Sequence, residues 1–260
     1  MAGADWPPGH QRIGSGGVMT PVVYGDFNCP YSYLASLRVD VLRKAGVDVE
    51  WRAVEHAPKT PVTGRRLDDA GRAGLDAELS EVRGLLTPGE RFPVNAVAMI
   101  PRTEAAISGY AEAVGAGVAD RVRRLLFDAY WVRGLDIGSP DVLRPLLARA
   151  IAAGNSTSFT LHEAGFAVAM SRGPITAGAH RRIHDWREDW YCTGTRTIPS
   201  IVTARARDKL TVIDGVAALT WLAAYPLPAT GLSWAARPAE SASPSAEPSV
   251  APAQTAHAFA

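Results

Sequence analysis

The period of the apolar positions changes twice along this chain. Val22 to Phe27 form a short apolar run bounded by turn residues, the pattern of a buried strand. Beyond it Leu34, Leu37, Val41 and Leu42 recur at helical spacing until Gly46 ends the run. Asn28 is placed to cap that helix. Pro30 suits its first turn, where a missing N–H leaves nothing unsatisfied. Val47, Val49 and Trp51 then alternate within "VDVEWRAVEH", which predicts a second strand. Strand, helix, strand in this order reads as a right-handed parallel crossover.

From about Arg65 to Trp190 the period is helical. "TEAAISGYAEAVGAG", "VADRVRRLLFDAYWVRG" and "SPDVLRPLLARAIAAG" each repeat apolar residues at three and four spacing, and Ser139-Pro140 make an N-cap and N1 pair. "TLHEAGFAVAMSRG" and "TAGAHRRIHDWREDWY" continue the helical pattern. Strands return in "TIPSIVTA" and "KLTVIDG", separated by "RARD" as in a hairpin, and "VAALTWLAAY" closes as a helix. Removing the helical block leaves βαβ-ββα. The predicted class is therefore α/β, a thioredoxin-like core from 20–60 and 192–226 with a large all-helical insertion at 61–191. Residues 1–19 and 237–260 are rich in Gly, Pro, Ala and Ser with little to bury, so both are expected to be disordered tails.

Composition narrows the partners. With 27 basic and 26 acidic residues the formal charge is +1, which gives no electrostatic case for nucleic acid or an anionic membrane. The short cluster Arg121-Val122-Arg123-Arg124 reads as the wet face of a helix. No apolar run approaches the ~20 residues that cross a bilayer, and the N-terminus lacks the apolar segment of a secretory signal. The expectation is a soluble, cytoplasmic protein. In that compartment its two cysteines suggest chemistry or burial, not a disulfide framework.

One of them, Cys29, stands in "FNCPYSYLAS", where the first strand gives way to the first helix. The free N–H groups of the first turn, including those of Tyr31 and Ser32, and the helix dipole favour a thiolate there. The Ser32 hydroxyl could donate to the sulfur. A thiol pKa below the free value of about 8.5 is expected. Iodoacetamide should then modify Cys29 faster than Cys192. Asp26, just upstream, would oppose ionisation or move protons. Read alone, a cysteine before a helix favours a small buried apolar residue. The second element is Thr197-Ile198-Pro199 at the start of the returning strand. A cis-proline there would leave the backbone N–H and C=O of Ile198 to hold an extended peptide or a thiol tripeptide.

"DFNCPYSYLAS" with "TIPSIV", separated by a long helical insertion, resembles the DsbA-like thioredoxin fold. Within it the likeness is to the branch of FrnE-type oxidoreductases, kappa-class glutathione transferases and 2-hydroxychromene-2-carboxylate isomerases. "LLFDAYWVRGLDIGSPDVLRPLL" resembles a pattern of that branch's insertion. The likeness runs from about Pro21 to Tyr225. It implies that Cys29 takes the place of the attacking cysteine of the redox members, or of the serine of the transferases and isomerases. Pro30, Tyr31 and Ser32 match the transferase and isomerase side, and Pro199 matches the cis-proline. Cys29 and Ser32 are thus the catalytic candidates, with Pro30, Tyr31, Ile198 and Pro199 binding substrate or thiol cofactor.

Ser32 cannot resolve a mixed disulfide as a second cysteine would. Cys29 would then need an external thiol such as glutathione or mycothiol, unless Cys192 reaches it. Cys192 itself reads as a buried structural cysteine. Three readings follow. The first is a monothiol oxidoreductase acting on a disulfide. The second is a glutathione-dependent transferase or isomerase acting on an aromatic substrate. The third is a non-catalytic binding domain. A homodimer is compatible with each.

Other residues carry weaker signals. His180 and His184 share a helix face with Asp185 and Glu188, but so charged a stretch reads as solvated and no metal site is expected. His56 reads as a hydrogen-bonded structural histidine. Arg102-Thr103 could meet a substrate carboxylate or simply start a helix. Trp186, Trp190 and Tyr191 read as core.

Overall fold

A computed structural model describes residues 20–155, 167–206 and 209–226. Both expected tails lie outside the described residues, as does the first half of "TLHEAGFAVAMSRG". The chain opens with β1 (Val22–Gly25), α1 (Pro30–Lys44) and β2 (Glu50–Ala53). β1 and β2 pair in parallel, with Val23 opposite Trp51. α1 ends where Gly46 adopts φ +83, a left-handed conformation that costs glycine nothing. The Gly46 and Val47 N–H groups turn back onto the Arg43 and Leu42 carbonyls at 3.0 and 2.9 Å. The predicted cap moves by one residue. Cys29, not Asn28, is the N-cap of α1, and Pro30 is its first residue.

The insertion supplies β3 (Arg65–Arg66), α2 (Asp69–Gly84), β4 (Met99–Ile100), α3 (Glu104–Gly115), α4 (Ala119–Phe127), α5 (Pro140–Ala152) and α6 (Ala177–Cys192). Beyond its helices, then, it carries a two-residue antiparallel ladder, Arg65 opposite Ile100 and Arg66 opposite Met99. Ala167 to Gly173, expected as helix, are irregular turns. A π-helical turn, Asp128–Val132, continues α4.

The chain then returns to the main sheet. β5 (Ser200–Ala206) and β6 (Lys209–Asp214) form the predicted hairpin, and α7 (Gly215–Ala224) closes the fold. The sheet order is β2-β1-β5-β6, with β5 antiparallel to both neighbours. This is the DsbA-like thioredoxin arrangement. α1 covers one face. A Cβ on Gly25 would stand 2.6 Å from the Trp51 ring and 3.1 Å from Ser32 Oγ, so glycine lets the strand, the ring and the helix meet. The other face carries Tyr24, whose hydroxyl accepts from Arg52; that arginine is ion-paired to Asp189 of α6.

Charge is buried between α1 and the insertion. Arg123 was expected on a wet face, yet its side chain is 0% exposed. It pairs with Asp40 at 2.5 Å, donates to the Ser36 carbonyl at 2.7 Å, and lies 5.4 Å over the Trp51 ring. Helical rotation turns Arg121 and Arg124 outward and Arg123 inward, which a run of three cations does not advertise.

Candidate active site

The loop from β1 into α1 is held from both sides by the insertion. Trp131 Nε1 donates to the Phe27 carbonyl at 3.0 Å, and Asn28 Nδ2 donates to the Pro101 carbonyl at 3.0 Å. The Phe27 ring packs on Phe127 and Tyr110, and Tyr33 stacks on Phe127. Within this frame the Cys29 N–H turns back to the Asp26 carbonyl at 3.3 Å, which sets the thiol at the mouth of α1. Cys29 is 7% exposed.

The Ser32 hydroxyl serves two partners. It accepts the Asp26 N–H at 3.3 Å and donates to the Cys29 sulfur. The Ser32 and Tyr31 N–H groups also point at that sulfur. The expected hydrogen bonds are therefore present, but the expected low pKa is not. Burial pushes the Cys29 thiol up to about 11; the Ser32 bonds pull it down, Asp26 adds its repulsion, and the Tyr31 N–H offsets little. A local argument from the helix end cannot see the desolvation of a buried sulfur. The expectation for Cys192 also reverses. It is exposed at the last residue of α6, and the two cysteines are unbonded. An alkylating agent should therefore find Cys192 first.

The second predicted element falls where it was expected. The Ile198-Pro199 bond is cis. Because Tyr24 pairs with Ser200, Pro199 stands beside Gly25, at the end of β1 from which the Cys29 loop leaves. Ile198 and Pro199 are buried. The Pro199 carbonyl accepts the Gly215 N–H at 2.8 Å, tying the segment to α7.

Carboxylates crowd this end of the sheet. Asp26 is fully buried; its Oδ1 accepts the Phe27 N–H at 2.7 Å and its Oδ2 lies 2.7 Å from His56 Nδ1. Burial alone would lower the His56 pKa, but Asp26, Glu78 and Glu55 outweigh it and raise it. His56 is thus hydrogen-bonded as expected, and to the acid nearest the thiol. Tyr31 donates to Glu81 of α2, and burial with that carboxylate raises its pKa. Glu78 is raised by burial and by Glu81 beside it. Sequence reasoning missed Glu78 and Glu81, because nothing in α2 signals which turn meets α1. Arg102, a candidate for a substrate carboxylate, is already 3.3 Å from both Glu55 and Glu104. His180 and His184 are exposed along α6.

Fold and site together define a class: a thioredoxin-like domain whose helix-terminal thiol shares one strand end with a cis-proline. A family model, the DSBA-like thioredoxin domain, matches residues 22–164, and the chain belongs to that family. Three solved structures share the fold. A 2-hydroxychromene-2-carboxylate isomerase has a TM-score of 0.54 and 17% identity over 79% of this chain and 93% of its own. The cytosolic disulfide reductase DsbM from Pseudomonas aeruginosa has a TM-score of 0.53 and 17% identity over 75% and 89%, and has also been solved with GSH. A probable DsbA oxidoreductase from Streptomyces coelicolor has a TM-score of 0.52 and 15% identity over 80% and 92%. Comparison with curated protein sequences gives no significant match. Among the described residues no helix is long and apolar enough to cross a membrane.

Proposed function

We propose that this protein is a monothiol thiol-disulfide oxidoreductase working through Cys29 with a low-molecular-weight thiol, glutathione or mycothiol, in the cytoplasm. The observation that carries this reading is the Ser32 hydroxyl bonded to the Cys29 sulfur at the N-terminus of α1. In the reaction Cys29 gives up its proton and the thiolate attacks one sulfur of a disulfide. The S–S bond breaks, the departing thiolate takes a proton, and Cys29 is left in a mixed disulfide. Ser32 offers no sulfur to resolve it. A second thiol from solution attacks the substrate sulfur and releases Cys29 reduced. Ser32 stabilises each Cys29 thiolate by its hydrogen bond. Tyr31, held by Glu81, and Pro30 shape the entry, and the Ile198 backbone next to Pro199 holds the extended substrate. DsbM, a disulfide reductase solved with GSH on the same fold, supports a small-thiol partner.

One observation favours a second reading. A buried thiol with a pKa near 11 is protonated at pH 7, which suits donating a hydrogen bond to a cofactor's thiolate instead of attacking. That is the requirement of a glutathione-dependent isomerase or transferase acting on an aromatic substrate. The Cys29→Ser variant separates the two. The oxidoreductase reading expects it to lose all reduction of a mixed disulfide. If glutathione-dependent isomerase or transferase activity is present and survives in Cys29→Ser, the second reading replaces the first.

A further inference from the structure

The thiol's nearest acid is clamped by a histidine whose part in the reaction is still unassigned. His56 leaves the end of β2 with its backbone N–H 3.0 Å and its Nδ1 2.7 Å from the same Asp26 Oδ2. The Asp26 side chain is 0% exposed and that of His56 32%, so the imidazole stands between a buried carboxylate and water. Asp26 is linked to the site through its own N–H, which donates to Ser32 Oγ, the hydroxyl bonded to the Cys29 sulfur. We propose that His56 is a positioning residue for Cys29. Its imidazolium cancels the Asp26 carboxylate and eases ionisation of the thiol, and loss of its proton leaves the carboxylate uncompensated and ionisation harder. This rests on the reading of Cys29 as the reacting thiol.

The electrostatics run one way. With His56 charged, the pair presents no net charge to the sulfur; with His56 neutral, it presents a full negative charge in a desolvated pocket. The groups facing His56 are Asp26 from the β1–α1 loop, Glu55 beside it in sequence, and Glu78 from α2. Arg102, at the start of α3, is the nearby cation, and it is engaged by Glu55 and Glu104 at 3.3 Å. Three carboxylates around one imidazole favour its charged form and raise its pKa, against the burial that opposes charging. As pH rises past the His56 pKa, the carboxylate's repulsion switches on. The thiolate fraction then climbs less steeply than the roughly tenfold per pH unit of an isolated thiol. The Cys29 proton goes to water, and the device needs no co-reactant.

The test is the rate of Cys29 alkylation by iodoacetamide, read by mass spectrometry of the Cys29 peptide to keep Cys192 apart, from about pH 5 to about pH 10. The logarithm of the wild-type rate is expected to flatten through the histidine range and then resume its rise. His56→Gln should give one unbroken titration and react about three- to tenfold more slowly at pH 7. His56→Lys restores a cation that does not titrate there, and should recover the rate without the flattening. A structural role alone would leave the shape of the profile unchanged. An unbroken wild-type profile overturns the inference whether or not the variants fold, as does a His56→Gln profile that matches wild type. Cys29 that stays unmodified across the whole range overturns the reading of Cys29 as the reacting thiol, and this inference with it.

Discussion

The two halves of α1 bury charge in opposite ways. In the middle of the helix every buried charge meets its opposite. Arg38 holds Glu90 at 2.7 Å and the Leu219 carbonyl at 2.7 Å, and Asp40 holds Arg123 at 2.5 Å and Arg124 at 3.1 Å. These pairs lock α1 to the insertion and to α7. At the N-terminal end the balance is missing. Asp26 is buried, Glu78 and Glu81 face the first turn, and the partly exposed His56 is the cation that answers them. A closed network resists protonation changes and fixes geometry, whereas an uncompensated acid turns the ionisation of its neighbour into a variable. The first half of the comparison builds the scaffold, and the second is where chemistry can be switched.

The largest expected effect comes from opening the closed network. Arg123→Met removes one cation from the buried Asp40 and takes both bonds from Ser36. Removing one partner of a buried pair costs about 3–5 kcal/mol. A urea unfolding midpoint should fall accordingly. A change below about 1 kcal/mol would mean that the pair adds nothing beyond what Met packing over Trp51 supplies.

The same contrast explains what the sequence disclosed. β1, α1 and β2 follow from residues close in the chain, and so does the hairpin of β5 and β6. Pro30 and Pro199 announce themselves because proline tolerates few positions. The site's two elements were therefore legible, as was the Ser32 bond one turn from Cys29. What failed was long-range. Arg123 and Asp40 are partners across 83 residues, so a basic run looked solvated when one of its members was buried. The Cys29 pKa failed for a related reason: helix-end amides lie in the local sequence, while the burial that dehydrates the sulfur is a property of the folded chain. Cys192, expected to be buried, is exposed. Trp190 is buried, but two positions on, the helix has turned Cys192 to the surface.

Acid and alkali should probe the two halves separately. Burial alone would raise the Glu90 pKa, but the Arg38 and Thr87 bonds outweigh it and lower it. Its contribution to stability is present above the unfolded value of about 4.3 and is lost as pH falls through the lower folded value. His56 is raised, so its contribution is full below about 6.5 and is lost as pH rises through the folded value. Unfolding midpoints across pH should therefore decline on both flanks. Glu90→Gln should remove part of the acid decline only, and His56→Gln part of the alkaline decline only. Exchange of the two assignments would show that the halves of α1 are not independent.

The smallest expected change is at the open end. Asp26→Asn keeps an acceptor for the Phe27 N–H and removes the buried charge, so the fold should shift by about 1 kcal/mol or less. The thiol should respond more than the fold. Without the carboxylate its pKa falls from the value near 11, because one of the influences raising it is gone while the Ser32 bonds remain. Alkylation of Cys29 should quicken about three- to tenfold at alkaline pH, where His56 no longer offsets the acid, and much less at pH 6. A uniform gain at every pH would point to looser packing of the loop and not to charge. No gain at all would leave desolvation by burial as the cause of the protonated thiol, and Asp26 would then belong with the scaffold half of the helix.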